Sequence, residues 1–262
     1  MSGFENGVAL VTGAGSGLAR GVVLEFVRGG CVKIVAADII PERLAETAKL
    51  VSEINPAARV ITVPTDVTNA TQVQNMVDTA VKEFGRIDYS VHCAGITGGA
   101  ARTDEMATEE FDRVTGVNLR GLWLCEKAVL GQMKTQEPRK LSNGTSARGA
   151  VVNMSSVLGL VGYRVQSPYV VSKHGVLGLT KADAVDYAAD GIRVNAVCPG
   201  IVRTNLLPEG AWEHMGAFIE TLPMQRLGLI EEVAAAVCFL ASDKASFITG
   251  TMLPVDGGYC CV

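Results

Sequence analysis

Aromatic residues make up only 5% of this 262-residue chain, and it has just three histidines. A core with so few rings must be filled by Val, Ala, Leu and Ile, the mixture that suits parallel strands buried beneath helices. None of the histidines is spaced as a ligand pair, so no metal site is expected. The seven cysteines (31, 93, 125, 198, 238, 260 and 261) are odd in number and form no Cys-x-x-Cys. They read as small buried hydrophobes in a reducing compartment, not as a disulfide framework. Basic runs are missing and the formal net charge is −4, which argues against a polyanion-binding surface and against nucleic acid as a partner. No apolar stretch approaches the roughly 20 residues needed to cross a bilayer. Nor does the N-terminus carry a basic region, an apolar core and a cleavage site. A cytoplasmic protein with no membrane partner is expected.

What the chain does contain is a regular alternation of apolar runs and helical periodicity. Val8–Thr12 reads as a strand, and Gly13-Ala14-Gly15-Ser16-Gly17-Leu18-Ala19 as a glycine turn opening a helix over Arg20–Arg28. That layout delivers free N–H groups and the positive end of a helix dipole to a phosphate. The turn is neither a triphosphate loop nor a strict G-x-G-x-x-G, because Leu18 stands at the third glycine. Its G-x-x-x-G-x-A spacing fits a longer dinucleotide turn, with Gly13 for the bend and Gly17 for close approach; a purely structural turn is the alternative. A second strand, Val32–Ala37, ends in Asp38. A carboxylate about twenty residues after the turn is placed to bind both ribose hydroxyls of an adenosine. It would repel a 2′-phosphate, and Ile39 and Ile40 offer no compensating cation, so NAD is preferred to NADP. Capping the helix that follows Pro41 is the other role open to Asp38.

Helices are expected over Glu42–Ile54, Gln72–Phe84, Glu109–Lys134 and Glu231–Ala241, and further strands at Val60–Val63, Tyr89–Cys93, Val151–Met154, Arg193–Cys198 and Thr251–Val255. Asp66-Val67 and Ala94-Gly95 fall at the carboxyl edge of their strands, although Asp66 also suits a cap for the helix near Asn69. Asn118, inside a long helix, marks either a kink with a job or a surface position. Residues 135–149 read as an exposed loop without chemistry. Residues 203–226 form an irregular apolar segment, with Trp212 and Phe218 as substrate-contact candidates and His214 as a weaker one. No linker or repeat divides the chain, so residues 1–262 are expected to form one domain.

The most informative stretch is Ser155-Ser156 followed by Tyr169-Val170-Val171-Ser172-Lys173. On a helix, Tyr169 and Lys173 project from one face a turn apart. A nearby ammonium in dry surroundings is expected to favour the phenolate, bringing a phenol whose ordinary pKa is about 10 into working range. His174, rotated about 100° from Lys173, is expected to stand aside.

Taken together, Thr12-Gly13-x-x-x-Gly17, Asp38, Asp66, Ala94-Gly95, Asn118, Ser156, Tyr169-x-x-x-Lys173, Pro199-Gly200 and Thr204 resemble the single-domain short-chain dehydrogenase/reductases, over nearly the whole chain. The resemblance implies a doubly wound, Rossmann-type α/β fold with a seven-stranded parallel sheet in 3-2-1-4-5-6-7 order, and a homotetramer or homodimer. It implies an oxidoreductase exchanging a secondary alcohol and a ketone. Tyr169 would be the acid–base, and Lys173 would lower its pKa and bind the nicotinamide ribose. Ser156 would hold the substrate oxygen, Asn118 would keep a water in a proton relay, and Val202 and Thr204 would anchor the carboxamide. Gly13, Ser16, Gly17, Leu18, Asp38, Asp66, Val67, Cys93, Ala94, Gly95, Pro199 and Gly200 would complete the cofactor site. The family often has Asn-Asn-Ala-Gly where this chain has His92-Cys93-Ala94-Gly95. The apolar 203–226 segment points to a bulky substrate of steroid, terpenoid or polyketide type. A 3-oxoacyl thioester reductase and a non-catalytic NAD-binding sensor are the competing readings.

Overall fold

The computed structural model describes residues 4, 6–141, 143–204 and 216–261. Seven parallel strands run β3-β2-β1-β4-β7-β8-β9 across the sheet: β1 Val8–Thr12, β2 Lys33–Asp38, β3 Arg59–Pro64, β4 Tyr89–His92, β7 Gly149–Met154, β8 Ile192–Pro199 and β9 Met252–Val255. Allowing for the small antiparallel hairpin β5 Arg139–Lys140 and β6 Ser146–Ala147, this is the expected strand order.

Period-2 alternation divides the central strands between two cores. Ala9, Val11, Val91 and Val152 face α1 Gly17–Arg28 and α8 Ile230–Ala241 through Val22, Val23, Phe26, Val233 and Val237. Leu10 and Val151 face the other side, against α3 Ala70–Phe84 and α5 Leu122–Thr135 through Val73, Met76, Val77 and Val129. The helix α2 Pro41–Ile54 adds Leu44 and Val51 to the first core. Local signals set the ends. Asn69 caps α3 by accepting from Thr71 and Gln72 N–H, and Gly85 closes it at φ 83°.

The long helix expected over Glu109–Lys134 is interrupted. Helix α4 Thr108–Thr115 passes through a π turn, Gly116–Gly121, before α5 begins. The segment expected as an exposed loop over 135–149 is mostly exposed and carries a small hairpin, β5–β6. Within the hairpin, Arg139 is mostly covered and bonds Asp243 at 2.5 and 3.0 Å and the Tyr89 hydroxyl at 2.8 Å. The segment is anchored to the amino edge of the sheet through contacts about a hundred residues distant, which no local pattern encodes. Residues 203–226 contain a short helix, α7 Gly216–Thr221, while Trp212 and His214 lie outside the described residues. Among the described residues no helix is long and apolar enough to cross a membrane.

Register brings the carboxyl ends together. Thr12 pairs with Ala37 and His92, His92 with Asn153, Met154 with Val197 and Pro199 with Val255. In a parallel sheet this is the edge where ligands bind.

Candidate active site

Past the end of β7, Ser155 and Ser156 turn to different tasks. Ser155 is buried and its Oγ donates to the Lys173 carbonyl at 2.9 Å. The Ser156 Oγ accepts from Leu158 N–H at 3.1 Å and is hydrogen-bonded to the Tyr169 phenol. Helix α6 Ser167–Tyr187 carries Pro168 in its first turn, where the missing N–H costs nothing. Tyr169 therefore emerges at the site and Lys173 one turn deeper. The buried Lys173 Nζ donates to the Met154 carbonyl at 2.9 Å and lies 5.5 Å from the Tyr169 ring centroid. His174 is exposed, with Nδ1 3.0 Å from the Val170 carbonyl oxygen.

The electrostatics correct one expectation. Burial pushes the Tyr169 phenol above its ordinary value, while the Ser156 hydrogen bond works the other way. Burial pulls the Lys173 amine down to about 8, with the Cys93 and Cys198 thiols opposing. The amine stands over the ring and is fixed on Met154, so desolvation of the phenol decides the direction.

Asn118 is fully buried in the π turn, so of its two expected settings the kink is the one found. Its Nδ2 donates to the Ile96 carbonyl at 2.8 Å and to Ser172 Oγ at 3.2 Å, and its Oδ1 accepts from Ile96 N–H at 2.8 Å. Both amide hydrogens are thus used. A relay water beside Asn118 would rest on the remaining Oδ1 lone pair or on the backbone. These bonds draw the 94–96 rim onto the site: a side chain on Gly95 would begin 3.2 Å from Asn118 Oδ1 and 3.7 Å from Lys173 Nζ.

Opposite this rim lies the glycine turn. Gly13, at φ 73°, has no room for a side chain, which would begin 2.9 Å from Ala94 N. Thr12 Oγ1 accepts from the N–H groups of Cys93 and Ala94 at 3.2 and 3.4 Å, tying β1 to β4. Burial raises the Cys93 thiol to about 12, against the pull of Lys173. Ser16 stands at the start of α1 without a side-chain capping bond, and Leu18 packs into the core. Gly17, at φ 54°, faces Thr204, whose Cβ lies 3.6 Å from where a side chain would begin. Pro199 ends β8, Gly200 N–H donates to Val255, and Val202 is buried and bridged to Gly228.

Asp38 is not a helix cap. Its Oδ2 accepts from Gly15 N–H and its Oδ1 from Ile40 N–H, each at 3.0 Å, so it braces the turn with half its lone pairs still open. Beyond Ile39 and Ile40, the stem of Arg43 also packs at the turn: a side chain on Gly15 would begin 2.9 Å from Arg43 Cβ. Arg20 lies below the turn, its Nη2 donating to the Gly15 carbonyl and to Glu46 at 2.5 Å. Asp66 accepts from Thr68 N–H and Oγ1, a local turn beside the Asn69 cap, and Val67 packs against the π turn at Gly121.

Two neighbours of the cleft gave no sequence signal. Tyr259, in the C-terminal turn, meets the Phe218 ring at 6.2 Å. Val165, between Ser156 and Tyr169, holds φ 52°, a strained setting for a β-branched residue, with its carbonyl bonded by Ala101 N–H.

Comparison with known proteins accounts for this arrangement. The family model described as Enoyl-(Acyl carrier protein) reductase matches residues 13–260. A levodione reductase of Leifsonia aquatica is 38% identical, with 97% of this chain and 94% of that protein covered. The chain is a short-chain dehydrogenase/reductase. The crystal structure of levodione reductase superposes with a TM-score of 0.91 at 37% identity, covering 99% of each chain. A cyclohexanol dehydrogenase of Acinetobacter sp. (strain SE19) is 40% identical over 98% of this chain and 96% of its own. A 3-oxoacyl-(acyl-carrier-protein) reductase of Thermotoga maritima (strain ATCC 43589 / DSM 3109 / JCM 10099 / NBRC 100826 / MSB8) is 37% identical over 97% and 98%. This short-chain dehydrogenase/reductase is an oxidoreductase of the secondary-alcohol type with a nicotinamide cofactor, and its residues fit that group. Along the edge from Asp38 to Gly95, a side chain on Gly13, Gly15 or Gly95 would press on Ala94, Asp38 or Asn118, so the backbone there must stay bare.

Proposed function

We propose that the protein is an NAD-dependent oxidoreductase acting on an apolar cyclic secondary alcohol or its ketone. The observation that carries the reading is the Ser156–Tyr169–Lys173 cluster at the carboxyl edge of β7, on the same sheet edge as the glycine turn after β1. The dinucleotide supplies the hydride acceptor or donor. Gly13, Ser16, Gly17, Leu18, Asp38, Asp66, Val67, Cys93, Ala94, Gly95, Pro199, Gly200, Val202 and Thr204 would hold it, and Lys173 would bind its nicotinamide ribose. Ser156 holds the substrate oxygen through its hydroxyl. Tyr169 Oη gives up its proton in reduction and takes one in oxidation. The Ser156 hydrogen bond favours the phenolate formed in between, against the burial that raises the phenol. Asn118 fixes the rim along which the proton leaves.

Asp38 supports NAD, because its carboxylate faces the turn where a 2′-phosphate would carry like charge. Substrate class rests on the apolar Phe218–Tyr259 pair and on the relative named for cyclohexanol. Trp212 is a second substrate contact in this reading. The free cysteines suit a reducing cytoplasm. Exposed Phe111, Trp123 and Val185 suit association of copies of the chain as a dimer or tetramer. Reduction of a 3-oxoacyl thioester is the second reading, favoured by the 37% identical relative. The test incubates pure protein with NAD⁺ and a panel of cyclic and acyclic secondary alcohols, following reduced nicotinamide, and with NADH or NADPH and a 3-oxoacyl thioester. Faster turnover of cyclic alcohols with NAD⁺ supports the proposal. Turnover of the thioester with NADPH alone replaces it by the second reading.

A further inference from the structure

Beneath the site, on the face of the sheet covered by α5 and α6, four elements meet in a polar cluster with no part in the chemistry above. Asn153, fully buried near the end of β7, is its hub. Its Nδ2 donates to Glu126 Oε1 on α5 at 3.1 Å and to Thr180 Oγ1 on α6 at 3.0 Å, and its Oδ1 lies 3.1 Å from His92 Nδ1 on β4. His92 Nε2 lies 2.9 Å from Ser90 Oγ.

Donor and acceptor roles are forced along this chain. Thr180 Oγ1 gives its hydrogen to the Val176 carbonyl at 2.8 Å, so it must accept from Asn153 Nδ2. The Asn153 oxygen then faces His92, whose Nδ1 must carry the proton, and His92 Nε2 accepts from Ser90. Burial keeps this imidazole neutral, pulling its value down to about 4. Glu126 is left with a buried Oε2 that has no hydrogen-bond partner among the described residues. Burial raises its carboxyl to about 8, so at neutral pH it is mostly a neutral acid.

The residue after Asn153 is Met154, whose carbonyl receives Lys173 Nζ. His92 likewise precedes Cys93, whose thiol faces that amine. We propose that Asn153, oriented by His92, Glu126 and Thr180, is a positioning residue that sets the Met154 carbonyl and thereby the Lys173 amine. Where the family often carries Asn in its Asn-Asn-Ala-Gly segment, this chain has His92, and the imidazole supplies the donor that fixes Asn153. The proposal rests on the acid–base reading of Tyr169 and Lys173. The amine is faced by Tyr169 on its own helix, by Cys93 beyond β4 and by Cys198 on β8. Glu126 is faced by Cys125 on its own helix, by Asp183 and Tyr187 on α6 and, across Asn153, by His92.

The experiment measures kcat, substrate KM and the pH profile of kcat for Glu126→Gln, Glu126→Leu, His92→Asn, His92→Leu and the near-isosteric Thr180→Val. Glu126→Leu and His92→Leu each remove a partner of Asn153. They should lower kcat about ten- to a hundredfold, as expected for a misplaced group, with substrate KM within about twofold. They should also move the inflection of the kcat profile by roughly half a unit or more. Glu126→Gln keeps the acceptor and His92→Asn a donor, so each should restore most of kcat and the original inflection. If a leucine variant does not fold, Thr180→Val decides in its place, with the same inflection shift expected. A structural role alone would lower melting temperature and leave the inflection fixed, and that result overturns the proposal. Conservative variants as impaired as the leucine ones also overturn it. Tyr169→Phe, assayed alongside, reports separately on the underlying acid–base reading: its retained turnover would sink that reading.

Discussion

Glu126→Gln provides a sharp stability test, because two buried groups titrate in opposite senses. The Glu126 carboxyl moves from an ordinary 4.5 to about 8 on folding. Between those values the folded chain binds a proton that the unfolded chain has lost, so stability falls as pH rises, at about 1.4 kcal/mol per pH unit. His92 moves from 6.5 down to about 4. In that window the unfolded chain is the better proton binder, so stability rises with pH at the same slope. The two nearly cancel from about pH 4.5 to 6.5 and leave Glu126 alone from about 6.5 to 8, a span worth roughly 2 kcal/mol. For a chain of this size that is a relative Tm difference of about 4 °C. The assay is thermal or urea unfolding of wild type and Glu126→Gln across pH 5 to 8.5, read as the difference between the two so that all other groups drop out. Because His92 is common to both chains, the difference should slope throughout, with wild type falling relative to the variant by about 1.4 kcal/mol per pH unit up to about pH 8 and levelling above it. Parallel curves between pH 6.5 and 8 would show that the carboxyl ionises on folding and that the buried-acid argument is wrong.

Asp38→Ser removes the brace on Gly15 and the negative charge while Arg43 stays beside the turn. The ratio of kcat/KM with NADP to that with NAD should rise by about tenfold or more, roughly the 1.4 kcal/mol of one charge contact; an unchanged ratio removes Asp38 from cofactor choice. Phe218→Ala opens the ring contact with Tyr259. Substrate KM for a cyclic alcohol should rise by about fivefold while NAD affinity stays within about twofold, and equal effects would make the contact structural.

Much of the layout was legible because it is written locally. Strand runs such as Val8–Thr12, the glycine turn and the Asn69 cap each announce themselves within a few residues, and the four-residue step from Tyr169 to Lys173 set their shared face. What the pattern could not convey was how the amine is held. That depends on Met154, nineteen residues earlier, and it places Nζ over the ring with burial deciding the phenol's direction. The π turn at Asn118 is invisible to periodicity, since one extra residue per turn leaves a helical pattern almost intact. The packing of Arg43 at the glycine turn is not local in sequence, since it depends on the first turn of α2 folding back onto Gly15. The Asn153 cluster joins residues 27 and 61 positions apart, so only the register of β4 with β7 reveals it.

The most direct test of the acid–base assignment is single-turnover hydride transfer by Tyr169→Phe, with NAD affinity measured on the same preparation. The phenol's removal should cut the chemical step by about a thousandfold while leaving the cofactor dissociation constant within about threefold. A variant that transfers hydride within about tenfold of wild type contradicts the assignment of Tyr169 as the group that moves the proton.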